Sequence, residues 1–177
     1  MAVRWDKLTV KAQDAVQTAT NLASDNGNPE LQPTHLLLAL LQDKEGIVTP
    51  VLQKAGANPE ALRARLEKAI ATFPKVSGDS NQAQPSKAFL KVVEQAFQEA
   101  ANFKDEYVST EHLLLAIAQQ KNDPAQMALA AEGATHDAIL RALTTVRGTQ
   151  RVTDQNPEAK FQALERYARW SKISRRI

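Results

Sequence analysis

Histidine is the residue type here best suited to proton transfer or metal ligation, and the sequence has three: His35, His112 and His136. They fall in different segments, without the spacing of a zinc site and without an HExxH pair. There is no cysteine, which removes thiolate ligands, cysteine nucleophiles and disulfide frameworks together and suits a reducing compartment such as the cytoplasm. The six glycines, at 27, 46, 56, 78, 133 and 148, are scattered, and none precedes a lysine. No loop is therefore built to cradle a phosphate in the GxxxxGK manner. None of these residues forms a recognisable catalytic, metal-ligating or nucleotide-binding motif.

Two of the histidines open identical runs. His35-Leu36-Leu37-Leu38-Ala39 returns as His112-Leu113-Leu114-Leu115-Ala116, 77 residues later. The same offset, without a gap, pairs Thr9 with Ser86, Val16 with Val93, Ala23 with Ala100, Leu52 with Leu129, Gly56-Ala57 with Gly133-Ala134, and Leu66 with Leu143. The body is thus two copies of one unit, about 9–71 and 86–147, joined by a Ser-, Gly-, Gln-, Asn- and Pro-rich linker over 72–85.

Each copy predicts four helices, so the expected fold is all-α, with eight helices in two tandem pseudo-symmetric repeats. Thr9 is a candidate N-cap for a helix with Ala12, Ala15, Val16, Ala19, Leu22 and Ala23 on one stripe, and Asn26-Gly27-Asn28-Pro29 stops it. Pro33 opens a second helix that is apolar around most of its circumference. A third carries Val48, Val51 and Leu52 up to Gly56. Asn58-Pro59 starts the fourth, with Leu62, Leu66 and Ile70 on one face. In the second copy Ser86, Ser109, Asp123 and Thr135 stand at the corresponding starts. His35 and His112 each occupy the third position of a helix, where an imidazole can hydrogen-bond local backbone. Beyond Gly148 the repeat stops; 148–156 reads as extended and 157–170 as one further helix with Phe161, Leu164 and Ala168 on its stripe.

The net charge of +2 is unevenly placed. Residues 1–147 hold 15 Lys or Arg against 17 Asp or Glu, and 148–177 hold 7 against 3. A nucleic-acid-binding body would carry a basic patch, and this one is mildly acidic, so no nucleic-acid partner is expected. No apolar run is long enough to span a bilayer.

The paired HLLLAL and HLLLAI runs, each between a helix cap and a Gly-Ala turn, resemble the double Clp N-terminal repeat of the Clp family of AAA+ protein-remodelling chaperones. The stretch Val146-Arg147-Gly148, Arg151 to Glu158 and Gln162 to Tyr167 resembles the connector toward the first ATPase module in the ClpB-type branch, and the sequence departs from that pattern after Tyr167. The resemblance implies a non-catalytic domain that binds exposed apolar segments of unfolded or aggregated proteins, or, as the alternative, docks an adaptor protein. It implies that ATP is bound in other modules, that 148–177 leads toward them, and that the domain is monomeric within a hexameric parent. It maps the polar part of the binding surface to Thr9, Asp105 and Glu111, with Val93, Phe97 and Leu113 as an apolar floor. In the ClpC branch a glutamate before each histidine is associated with phosphoarginine recognition; Glu111 fits that pattern and Thr34 does not.

Overall fold

In a computed structural model, residues 4–76, 82–148, 151–153 and 155 are described. After a 3-10 turn at Trp5–Lys7 come helices α1 (Val10–Asp25), α2 (Pro33–Gln42), α3 (Val48–Lys54), α4 (Pro59–Ala71), α5 (Lys87–Asn102), α6 (Thr110–Gln119), α7 (Pro124–Ala131) and α8 (His136–Arg147). The all-α expectation holds, with eight helices among the described residues. The expected helix at 157–170 lies outside them.

The helix starts follow the capping chemistry of the sequence. The Thr9 hydroxyl accepts from Ala12 N–H, Ser86 from Phe89, Thr135 from Ala138, and the Asn58 and Asp123 side chains from the first turns of α4 and α7. Each cap satisfies backbone N–H groups that the helix leaves without a partner, worth about 1 kcal/mol. Gly56 and Gly133 follow α3 and α7 at φ of 96° and 79°, a left-handed conformation that a Cβ disfavours.

α2 and α6 sit at the centre. Every residue from Pro33 to Leu41 and from Thr110 to Ile117 is buried, as the all-round apolar sequence requires. α1 and α4 flank α2, while α5 and α8 flank α6. Across the repeats α3 packs on α8, and its symmetry counterpart α7 packs on α4.

The copies are also interlocked through their backbones. A short strand before α5, β2 (Gln84–Pro85), pairs in parallel with β1 (Glu30–Leu31), which follows α1 in the other repeat. The segment before α1 does the reverse, with Leu8 bridging Val108 in parallel. The hydrogen bonds correspond: Ser86 N–H donates to Leu31 O at 3.0 Å, and Thr9 N–H donates to Val108 O at 2.9 Å. Both members are shifted by the 77-residue offset, so each repeat is entered through a strand held by the other. Described residues of the 72–85 segment take part in this packing. Phe73 lies against the core, Ala83 is buried, and Ala83 N–H donates to the Ser24 hydroxyl.

One shared core predicts one unfolding event. Leu37→Ala, at a fully buried position of α2, is expected to cost about 2–5 kcal/mol. Helical signal from both repeats should be lost in a single urea transition. Two resolved transitions would contradict the interlocked arrangement.

Candidate functional site

The first turns of α2 and α6 are built around their histidines. Gln32 N–H donates to His35 Nδ1 at 3.0 Å, and Ser109 N–H donates to His112 Nδ1 at 2.8 Å. Each imidazole therefore closes a reciprocal capping box with the residue that starts its own helix. With Nδ1 accepting, the hydrogen-bond network assigns the ring proton to Nε2. That nitrogen faces Asn28 Oδ1 at 2.9 Å in the first repeat and Asp105 Oδ2 at 2.7 Å in the second. Asn28 and Asp105 are themselves 77 residues apart. Phe73 stands edge-on to His35 at 5.6 Å, and Phe103 is tilted on His112 at 5.9 Å. The third histidine joins α8 to α5, His136 Nε2 lying 2.9 Å from Glu99 Oε1.

Exchanging asparagine for aspartate at equivalent positions changes what the box can hold. Asn28 donates to Pro74 O at 3.1 Å, fixing the start of the inter-repeat segment. Asp105, with its side chain fully buried, accepts from His112, from the Arg147 guanidinium at the end of α8, and from Val152 N–H at 2.9 Å. Burial by itself would push the Asp105 carboxyl up; these three hydrogen bonds and the charge of Arg147 outweigh it and hold the group at about 2. The Arg147 side chain is buried too, lies over the Phe103 ring at 5.0 Å, and places Nη1 3.9 Å from Glu111 Oε1. Among the described residues His35 has no charged partner, and burial lowers it to about 4.

The chain beyond α8 is fastened to this hub. Glu106 N–H donates to Val152 O at 2.8 Å, and the Val152 side chain is buried. Farther on, Val10 N–H donates to Gln155 O at 2.8 Å, and the Gln155 amide reaches Asp6 O and Leu8 O. Val152 and Gln155 thus act as a strap from the second repeat to the N-terminal segment.

The six residues expected at a binding surface are placed as follows. Asp105 and Glu111 come together through Arg147, and Thr9 N–H bonds Val108 O, a residue midway between them in the chain. Thr9 is 0% exposed, Glu111 5%, Val93 1% and Leu113 0%, so these four present little surface in this conformation. Thr9 is a helix cap, and Val93 and Leu113 are core. Phe97 is half-buried. It shares a face of α5 with exposed Leu90, seven residues earlier, and exposed Ala101, four residues later. Sequence reasoning assigned no site role to Leu90, Arg147, Val152 or Asn28. The Asn28–Asp105 correspondence was readable at the 77-residue offset, whereas a strap contact at Val152 has no local signature. Among the described residues, no group of three metal-ligating side chains exists, and no helix is long and apolar enough to cross a membrane.

Residues 7–132 match the model of the Clp repeat (R) N-terminal domain. The chain belongs to the Clp N-terminal domain family. It is 45% identical over 162 residues to the chaperone protein ClpB of Corynebacterium glutamicum and 41% identical over 160 residues to that of Mycobacterium tuberculosis. Each match covers 90% of this chain and 19% of the relative, so the chain spans about a fifth of the length of these curated relatives. The same fold occurs in the Hsp104 N-terminal domain from Candida albicans, with a TM-score of 0.74 at 22% identity over 84% of this chain and 97% of that one. It also occurs in a complex of the ClpV N-domain with a VipB peptide, with a TM-score of 0.64 at 17% identity over 85% of this chain and 91% of that one.

Two measurements check the site. A buried imidazole held below its unfolded value binds fewer protons when folded, so its stabilising effect is complete above about pH 6.5 and is lost as pH falls toward 4. For His35 the full loss is about 3 kcal/mol, and urea titrations of His35→Gln should show a shallower acid slope than the parent Clp domain. At the hub, Asp105→Ala leaves Arg147 buried beside a missing partner and is expected to cost about 3–5 kcal/mol at pH 7. Hydrogen exchange at the Val152 amide should accelerate in that variant; unchanged protection there would show that Asp105 does not hold the strap.

Proposed function

We propose that this chain is a non-catalytic substrate-recognition domain of a ClpB-type disaggregase, binding exposed apolar segments of unfolded or aggregated polypeptides and presenting them to ATP-driven modules outside it. The reading rests on membership of the Clp family and on one observation above all, the stripe Leu90, Phe97 and Ala101 along α5. The pseudo-symmetric positions on α1 are Gln13, Thr20 and Ser24. The fold itself therefore does not require an apolar residue at these places, and one repeat alone carries them. Exposed apolar side chains bordered by the polar residues Lys91, Glu94 and Gln98 suit weak contact with many unrelated sequences. In this reading the domain acts as a monomer in the cytoplasm and needs no cofactor, and the hexameric assembly and ATP belong to the other modules.

The alternative is docking of one folded adaptor. The ClpV N-domain, which shares the fold, has been captured with a VipB peptide, and a single defined partner would use the same kind of helix face.

The readings separate by experiment. Leu90→Ser combined with Phe97→Ser is expected to weaken binding of denatured casein to this chain by about tenfold, corresponding to roughly 1.4 kcal/mol, with the circular dichroism spectrum retained. ATP should have no effect on that binding. Casein binding that survives the double substitution would remove the α5 stripe from the site, and indifference to casein alongside a saturable one-to-one complex with a single folded protein would favour the adaptor.

A further inference from the structure

The strap is held chiefly through its backbone. Val152 N–H donates to Asp105 Oδ1 at 2.9 Å and Val152 O accepts from Glu106 N–H at 2.8 Å, so both polar groups of one residue are taken up by two consecutive residues of the second repeat. Gln155 O accepts from Val10 N–H, the first N–H of α1, at 2.8 Å. Arg151, Thr153 and Gln155 are exposed, and among these residues only the Val152 side chain is buried. One anchored side chain between solvent-facing neighbours, with main-chain bonds to either side, is how the edge of a folded domain grips an extended peptide. The edge here is where the segment before α1 and the loop before α6 run side by side through the Leu8–Val108 bridge.

Three observations indicate that this edge can serve an occupant other than the strap. Asp105 is oriented by Arg147 and His112, neither of which belongs to the strap, so its carboxylate is aimed at the place of Val152 N–H by the domain body. The second is asymmetry. At the 77-residue offset Asp105 and Glu106 correspond to Asn28 and Pro29, and proline has no N–H to give. The first repeat instead holds Pro74 O through the Asn28 amide, in a segment that runs on into β2. The acceptor and donor that read one peptide residue are therefore particular to the second repeat. The third is the turn at Gly148, which leads the chain out of α8 at φ 65° and ψ −133°, with nothing within 4 Å of where a Cβ would stand. No packing fixes that turn, and glycine pivots through backbone angles closed to other residues.

We infer that the edge formed by Val10, Asp105 and Glu106 is a second polypeptide site, occupied in this conformation by the chain's own Val152 and Gln155 as a tethered stand-in. Its ligand is an extended segment with a β-branched aliphatic residue in the place of Val152, whose N–H meets Asp105 and whose C=O meets Glu106, and with a later C=O for Val10. Proline at the anchor is excluded because it lacks the N–H that the carboxylate takes. Opening the site and freeing the chain after Gly148 are one event, so a bound segment and a docked strap exclude each other. That the incoming segment belongs to a client rests on the function proposed above; the competition between strap and peptide does not.

The test uses the full chain and a capped peptide copying residues 150–156, titrated and followed by amide chemical shifts. Val152→Asp in the chain sets a carboxylate against Asp105 and unseats the strap. With the tethered competitor gone, the peptide should bind about tenfold more tightly than it binds the parent. The Val10, Asp105 and Glu106 amides should shift, with the circular dichroism spectrum retained. The same peptide with Val152→Asp should bind neither chain, and with Val152→Ile it should bind as the original does. In the parent, the Val10 and Glu106 amides should exchange with deuterium faster than the Leu37 amide in the core, which reports release of the strap without unfolding. Equal affinity of the peptide for both chains, shifts confined to other residues, or exchange at Val10 and Glu106 as slow as at Leu37 would overturn the inference. Casein binding on the same samples separates the two proposals: its persistence when the peptide fails leaves the α5 reading intact, and indifference to casein when strap and peptide compete leaves the edge site intact.

Discussion

A helix buried on every side must satisfy its first N–H groups without help from water, and α2 and α6 both face that constraint. Their apolar circumference fills the centre of the molecule, yet it also moves their N-termini out of solvent. The histidine at the third position answers this in both copies. Its Nδ1 takes the N–H of the capping residue, and its Nε2–H must then find an acceptor of its own. That second requirement places Asn28 and Asp105 after α1 and α5, and through them governs where the following chain can run. The central packing, the loop paths and the buried polar cluster are consequences of two helix ends being kept dry.

From one scaffold the two copies reach different electrostatic solutions. Asn28 is a neutral partner and organises only nearby backbone, so His35 sits in an uncharged box and is hard to protonate. Asp105 brings a charge into the same position and needs compensation. Arg147 supplies it from the end of α8, and the remaining lone pair holds the strap. A fully buried carboxylate that already accepts three hydrogen bonds is poorly placed to meet a polypeptide from solution while the strap is docked. Its physical role is to connect the domain body to the segment that leaves it, so a change at Asp105 would alter how the domain is carried even where the binding face is untouched.

Much of the fold was legible in the sequence. The 77-residue register, the N-cap residues and the proline and glycine positions fix eight helices and their order, because each is a local signal repeated twice. Burial around Leu36 to Leu41 followed from the absence of any polar face. The exchanged strands were not legible, since two-residue pairings such as Glu30–Leu31 with Gln84–Pro85 have no periodicity to read. The binding surface was legible only in outline. Val93 and Leu113 look like a groove floor in a list of apolar residues, and only packing distinguishes them from Leu90, which differs in facing outward. Family resemblance pointed to Asp105 and Glu111 as surface residues, but a sequence cannot state that a carboxylate is enclosed by Arg147 from 42 residues away.

The reciprocal strand exchange also bears on how such a chain could arise. A lone copy would leave its entry strand unpaired and one side of its central helix bare. Two identical copies related by a two-fold axis would cure both defects at once. The tandem chain is the covalent equivalent of that homodimer. Once the halves are joined, a substitution in one is no longer imposed on the other. Asn28 beside Asp105, Lys11 beside Ala88 and Gln13 beside Leu90 are the outcome: one half keeps neutral spacers where its twin has gained a charge, a contact or an apolar face.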